Sequence, residues 1–299
     1  MLGNRRTQLN ESSLNDSKTA RLSSDSNIAL GFRGYRLDSI EAPTSYGHSG
    51  PGYRMRTARV MSLTPELVAM CEREEPEPEP EEGWTPLSDR DYSDLAVRLS
   101  NDCVDGDLWL FAYGSLIWKP EFEIADRLRA AAFGWHRSFC LELPTWRGTP
   151  EQPGLMMALE RGGRCDGFLF KVAGNDCKNT IERLLRREVW DQESVYTTRW
   201  IKTLTERGPI RALSFWVGPV GEGVALRQPL ERVAWILARA CGYAGSCAEY
   251  LYNTVFHLEN FGIHDSKLWR LQQLVAKEIR LLHQQHGAAH PSSRRTVMD

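Results

Sequence analysis

The spacing of hydrophobic residues changes several times along the chain, and each change marks an expected element. In LWLFAY, residues 108–113, nearly every position is apolar, as in a strand covered on both faces. Residues 131–143 place Phe133, Trp135 and Phe139 among polar neighbours, and residues 155–159, 166–172, 196–204 and 210–217 read as further strands. Helical spacing takes over in NDCKNTIERLLRREVW. Cys177, Ile181, Leu184, Leu185 and Val189 fall on one side there, and Asn175 is placed to cap the start. Three helices close the chain, over residues 230–241, 246–260 and 265–286, the last capped by Asp265 and carrying Leu268, Leu271, Leu274 and Ile279. Strands in mixed runs with helices gathered at the end predict an α+β fold: a partly closed β-barrel or curled mixed sheet with helices packed around it.

One interruption raises a question. The apolar run at 108–113 breaks at Tyr113-Gly114-Ser115, and a glycine there suits a turn that needs positive φ or close approach of another group. Upstream of the run the pattern is different. Residues 1–60 are rich in Ser, Gly and Asn without a sustained apolar period and read as a disordered tail. This tail lacks the apolar run of a secretory signal, and Glu11 and Asp16 argue against a transit peptide. Residues 61–107 read as an acidic linker, because EREEPEPEPEE alternates proline with like charges. Two short helices flank that run, announced by Thr64-Pro65 and Ser88-Asp89. The domain that follows spans residues 108–287, with a flexible tail at 288–299.

Composition narrows the function classes. A chain of 299 residues with 41% hydrophobic content can bury a sizeable core. Its formal net charge of −2 provides no electrostatic footprint for nucleic acid, and no apolar stretch is long enough to span a bilayer. Seven cysteines without a C-x-x-C pair fit free thiols in a reducing compartment, so a cytoplasmic location is expected. His283 and His286 lack a third ligand and read as a solvated helix face rather than a metal site.

The candidate chemistry is sparse. Neither G-x-G-x-x-G nor G-x-x-x-x-G-K-[ST] occurs, which argues against a nucleotide cradle. A serine hydrolase fits poorly, since Ser115 is not in G-x-S-x-G and His136 has no acid marked out to orient it. Glu188 stands out. It follows Leu184 by four residues and Leu185 by three, so it projects from the apolar side rather than from the side of Arg183 and Arg187. A carboxylate buried without a partner has a raised pKa and suits general acid–base work; the alternative is a side chain that frays to solvent at the helix end or pairs with Arg186.

These residues also carry a resemblance. FAYGSLIWKP, GWHRSFCL, RGTPEQPG, RREV and GYAGSCAEYL occur in the order and approximate spacing of the ChaC-type γ-glutamylcyclotransferases, the glutathione-specific branch of that superfamily. The chain is most similar to the bacterial members, over roughly residues 63–275, and residues 1–60 have no counterpart. The resemblance implies a cyclotransferase that cleaves glutathione to 5-oxoproline and cysteinylglycine. It implies that Tyr113, Gly114, Ser115 and Leu116 present backbone N–H groups to the γ-glutamyl moiety and that Glu188 is the catalytic acid–base. Tyr250 matches a tyrosine near the site, and Arg147, in the loop RGTPEQPG, is placed to clamp a substrate carboxylate. No metal or organic cofactor is implied, and the expected partner is the small-molecule substrate, with neither nucleic acid nor membrane; the oligomeric state is not legible. The chain departs from the family pattern at Gly242-Tyr243-Ala244-Gly245, where many relatives have Gly-Pro-x-Gly, and at Val189-Trp190 after Glu188. The departures bear on specificity. Other γ-glutamyl amines or amino acids as substrates, and a non-catalytic γ-glutamyl-binding protein, remain open.

Overall fold

The computed structural model describes residues 59–79, 85–103, 107–120, 122–172, 177–192, 194–218 and 228–288. Of the tail expected over residues 1–60, residues 1–58 lie outside the described residues, as do the Asn175 cap and the end of the chain from residue 289.

Two helices precede the sheet. Helix α1 (Pro65–Ala69) starts at Thr64, whose hydroxyl accepts from the Leu67 N–H, and has proline in its first turn, where a missing N–H costs nothing. Helix α2 (Asp89–Ser100) is held by a capping box between Ser88 and Asp91. Both bury apolar side chains in the main core: Leu63 and Val68 around α1 and Ala96 in α2 are fully shielded from solvent. The segment expected to be a linker is therefore in good part a wall of the core.

Five strands follow: β1 (Trp109–Ala112), β2 (Ile124–Leu143), β3 (Gly154–Val172), β4 (Thr198–Thr205) and β5 (Gly208–Phe215). They close into a barrel in the order β1-β3-β2-β4-β5. Closure is complete rather than partial, through one parallel contact of Leu110 in β1 with Leu213 in β5, while the other pairings are antiparallel. Phe111, Leu159, Leu169, Phe170 and Leu213 are fully buried, each contributing about 1.5–3 kcal/mol of apolar transfer.

The sequence pattern splits β3 into two strands, and the structure joins them. Gly162 and Gly163 take φ of 107° and 72° opposite Gly134 at 79°, and a register shift between Phe133 and Trp135 absorbs the irregularity. Glycine at positive φ let the ladder continue through a bulge where the pattern reads a break. The result is one long hairpin, β2–β3, whose connecting loop carries Trp146 and Arg147.

Helix α3 (Cys177–Glu188) lies between β3 and β4 and packs on α2. Helix α4 (Leu230–Leu237) ends earlier than its apolar pattern suggests, because the chain turns into a small hairpin, β6 (Cys241–Gly242) with β7 (Gly245–Ser246). A side chain on Gly242 would come within 2.3 Å of the Trp146 carbonyl, so the hairpin fits against the β2–β3 loop only with glycine there. Helices α5 (Cys247–Asn260) and α6 (Ser266–Ala288) complete the domain, capped by Ser246 and Asp265 as their sequences imply. No helix among the described residues is long and apolar enough to cross a membrane.

Candidate active site

Beyond β1 the chain enters a short helical turn, Ser115–Ile117, closed by bonds from the Ile117 N–H to the Gly114 carbonyl and from the Lys119 N–H to the Ser115 carbonyl. Tyr113, Gly114, Ser115 and Leu116 form one side of a cavity of about 40 Å³. Glu188, at the end of α3, and Tyr250, on α5, complete its polar lining, and Met156, Met157 and Phe215 supply apolar wall. Six of the seven residues singled out by sequence meet here.

Gly114 answers the question raised by the broken strand, though not through positive φ. Its φ is −138°. What matters is proximity: a Cβ at this position would lie 2.9 Å from the Tyr250 hydroxyl. Ser115 lies beside that hydroxyl in the same cavity wall. The ring beneath it is held edge-on by Trp118, at 6.0 Å between centroids, and Phe139, at 5.9 Å. Burial raises the Tyr250 pKa, as does the nearby Glu188 charge, while the Ser115 hydrogen bonds oppose them. Burial likewise raises the Tyr113 phenol well above its ordinary value, with the Tyr250 and Glu188 charges adding to it. Both tyrosines are neutral donors at physiological pH.

Glu188 is about a quarter exposed, and its Oε1 lies 3.0 Å from Nε of Arg187. This corrects two expectations. The carboxylate has a cationic partner, so the argument from burial without one does not apply, and Arg187 is not on a solvent side but buried. Arg187 also donates to the Lys119 carbonyl and lies 3.4 Å from the Ser115 hydroxyl, which ties α3 to the turn. Arg186, the partner considered from sequence, instead binds Asp89 and Glu182, each at 2.8 Å.

Arg147 is not in the cavity lining. Its Nη1 donates to the Ser246 carbonyl at 2.7 Å and to Glu249 at 2.9 Å, and its guanidinium lies 5.5 Å from the centre of the Tyr250 ring. A guanidinium so engaged supports the wall from behind, which is a different position from the clamp the resemblance implies. His136 binds the Gly162 carbonyl and pairs with Glu160 rather than with Ser115, so no serine hydrolase arrangement forms. Thiol chemistry is equally disfavoured, because burial pushes Cys140, Cys165 and Cys247 up to about 11. Among the described residues no three His, Cys, Asp or Glu side chains are grouped to hold a metal.

Sequence reasoning missed Arg187 and the methionines. Nothing local marks Arg187 as buried, since the groups it meets come from a turn some seventy positions earlier. Met156 and Met157 face a bulge in β2 at Cys140, which no pattern announces. The two departures from the family pattern meet in space: Trp146 stacks against Trp190 at 4.5 Å and against Tyr243 at 6.2 Å.

The chemistry this cavity can support is proton transfer beside a developing oxyanion, with a carboxylate, fixed phenols and backbone donors among walls that limit water. A family model described as ChaC-like protein matches residues 108–278. The chain belongs to the ChaC-like family. This ChaC-like protein is 32% identical over 184 residues to the glutathione-specific gamma-glutamylcyclotransferase of Escherichia coli strain K12, covering 61% of this chain and 79% of that protein. To the Schizosaccharomyces pombe protein of the same name it is 38% identical over 200 residues, or 59% of this chain and 96% of that one. Among solved structures, a yeast gamma-glutamylcyclotransferase specific to glutathione superposes with a TM-score of 0.52 at 20% identity, over 57% of this chain and 96% of that one. That last likeness concerns the fold alone.

Proposed function

We propose that this ChaC-like protein cleaves glutathione to 5-oxoproline and cysteinylglycine, with Glu188 as the acid–base group. The observation that carries the reading is the convergence of Glu188 and the turn of residues 113–116 on one small cavity in a chain of this family. A γ-glutamyl amide brings its own nucleophile. Its α-amine attacks the γ-carbonyl carbon, a five-membered lactam closes, and the bond to the cysteinyl nitrogen breaks. The α-ammonium gives up two protons in turn, one to free the attacking amine and one after its bond to the carbonyl carbon forms; the Glu188 carboxylate takes each and passes it to the departing nitrogen, which leaves as the ammonium of cysteinylglycine, so charge and atoms balance without water. Ring closure gains from high effective molarity, and the protein's task is to hold the glutamyl chain folded and stabilise the oxyanion.

The apolar wall of the cavity suits this task, since Leu116, Met156, Met157 and Phe215 limit competing water around the reacting atoms. The turn of residues 113–116, with its neutral Tyr113 phenol, lines the cavity beside Glu188, while the Arg147 guanidinium lies against the Tyr250 ring. The reading takes glutathione as substrate from the relatives' names. Incubation of the purified protein with glutathione, γ-glutamylalanine and a γ-glutamylamine, assayed for 5-oxoproline, tests it: glutathione should be turned over fastest. Preference for another γ-glutamyl compound would keep the mechanism and change the substrate; no 5-oxoproline from any of them would leave a ligand-binding protein.

A further inference from the structure

Among the described residues, the buried charged side chains are three arginines: Arg137, Arg147 and Arg187. Burying a guanidinium is costly unless its donors are met, so each marks a place where the fold spends interactions on holding something still. Arg187 meets the Glu188 carboxylate, Arg147 the Tyr250 ring, and Arg137 the main chain of the turn itself. The first two act on side chains already given roles. Arg137 acts on none of them.

Its side chain leaves β2 and joins three elements. Nη1 donates to the Tyr113 carbonyl at 2.7 Å, and Nη2 donates to the Asp166 carbonyl in β3. Nε lies 3.2 Å from Oδ2 of Asp265, an ion pair in which the Nε–H is not aligned for a hydrogen bond. The other oxygen of Asp265 accepts from the N–H groups of Lys267 and Leu268 at 3.1 and 3.0 Å, so the acid that orients Arg137 is itself fixed at the start of α6.

We propose that Arg137 is a positioning residue for the cyclisation, acting through the Tyr113–Gly114 peptide. The inference rests on the reaction described above. In a planar trans peptide the carbonyl and the following N–H point in opposite directions. Holding the Tyr113 oxygen on Arg137 therefore fixes the direction of the Gly114 N–H. Glycine leaves that peptide without a side chain of its own to steady it, so the constraint has to come from outside. A cation on the carbonyl also polarises the amide and strengthens its N–H as a donor, as linked hydrogen bonds do. Both effects favour stabilisation of the oxyanion more than ground-state binding, and so they fall on kcat.

The test uses the full chain and glutathione, with 5-oxoproline as readout and thermal melting alongside. Arg137→Lys keeps the charge but loses the planar fork; kcat should fall about 10- to 100-fold, with KM within about threefold, since the loss is confined to the transition state. Arg137→Ala should lose more, and millimolar guanidinium should restore part of kcat, because Arg137 also lines a larger groove of about 780 Å³ through which the ion can enter. Parent-like kcat in Arg137→Lys overturns the inference. So does an Arg137→Ala variant that guanidinium does not help and whose activity loss merely follows its melting temperature. If both fail to fold, Asp265→Asn decides: asparagine still caps α6 but no longer pairs with Arg137, so kcat should drop several-fold at unchanged KM, and an unchanged kcat refutes the idea. An inactive parent overturns the reaction and this inference together, whereas an active parent indifferent to Arg137 overturns the inference alone.

Discussion

At the scale of single residues, the proposed mechanism rests on Glu188, and the close approach of Gly114 to Tyr250 can be tested beside it. Glu188→Gln keeps the volume but cannot take the ammonium proton, so turnover should fall by about a hundredfold to ten-thousandfold, the range for a lost general base. Substrate affinity in a binding titration should stay close to the parent's. Were Glu188 only the ion-pair partner of Arg187, turnover would remain within a few-fold of the parent. Gly114→Ala makes a different point. The added methyl would sit 2.9 Å from the Tyr250 hydroxyl, and Trp118 and Phe139 leave that ring little room to retreat. The contact between Ser115 and Tyr250 should break, with kcat/KM down at least about tenfold, while circular dichroism stays unchanged. A fully active Gly114→Ala protein would show that the close approach is incidental.

At the scale of elements, α5 presents Tyr250, Thr254 and His257 along one stripe, at helical spacings of four and three. Trp118, just past the turn of residues 113–116, lies along that stripe. Its Nε1 donates to the Thr254 hydroxyl at 3.3 Å, and its ring stacks on His257 at 6.4 Å with 27° between planes. One indole thus fastens the turn to the helix. Burial lowers the pKa of His257, opposed by a hydrogen bond with the Asn253 carbonyl. The sign follows from linkage. A histidine whose folded pKa lies below its unfolded value near about 6.5 leaves stability intact above that value. As pH falls below it, the unfolded chain takes up the proton first, and folding weakens. Melting temperature should therefore decline on acidification from neutral pH, and His257→Phe, which keeps the stacking, should flatten part of that slope. An identical slope in the variant would assign the acid sensitivity elsewhere.

For the molecule as a whole, the segment ahead of the barrel is structural. Gln272 in α6 accepts the N–H groups of Ser62 and Leu63 at 2.9 and 2.8 Å, and Ser246 at the start of α5 donates to Glu72 at 2.7 Å. Tyr92 in α2 donates to the carbonyl of Val189 at 2.8 Å, and Leu87 N–H bonds that of Trp190, which steadies the end of α3 where Glu188 sits. A protein starting at Met61 keeps all of these contacts and should turn over glutathione like the full chain. One starting at Thr85 loses Leu63 and Val68, both fully buried, and with them about 3–6 kcal/mol of apolar burial. Its melting temperature should drop sharply. Loss of activity in the first truncation with its circular dichroism intact, or an unaltered melt in the second, would contradict this account.

What the sequence by itself determined is what depends on neighbours along the chain. Thr64, Ser88 and Asp265 announce their helices because a cap needs only the next three residues. The strand at residues 108–113 and its interruption are visible for the same reason, and the order of short motifs was enough to indicate the family. The sequence did not reveal the closed barrel, the continuity of β3, or the burial of Arg137, Arg147 and Arg187, because each depends on a partner far away in the chain. Arg183 and Arg187 look alike in RLLRRE, yet one is exposed and the other buried beside Glu188. A guanidinium has the same local preferences in water and in a protein interior. Only the tertiary structure decides which, by bringing the Lys119 carbonyl, the Ser115 hydroxyl and the Glu188 carboxylate within its reach.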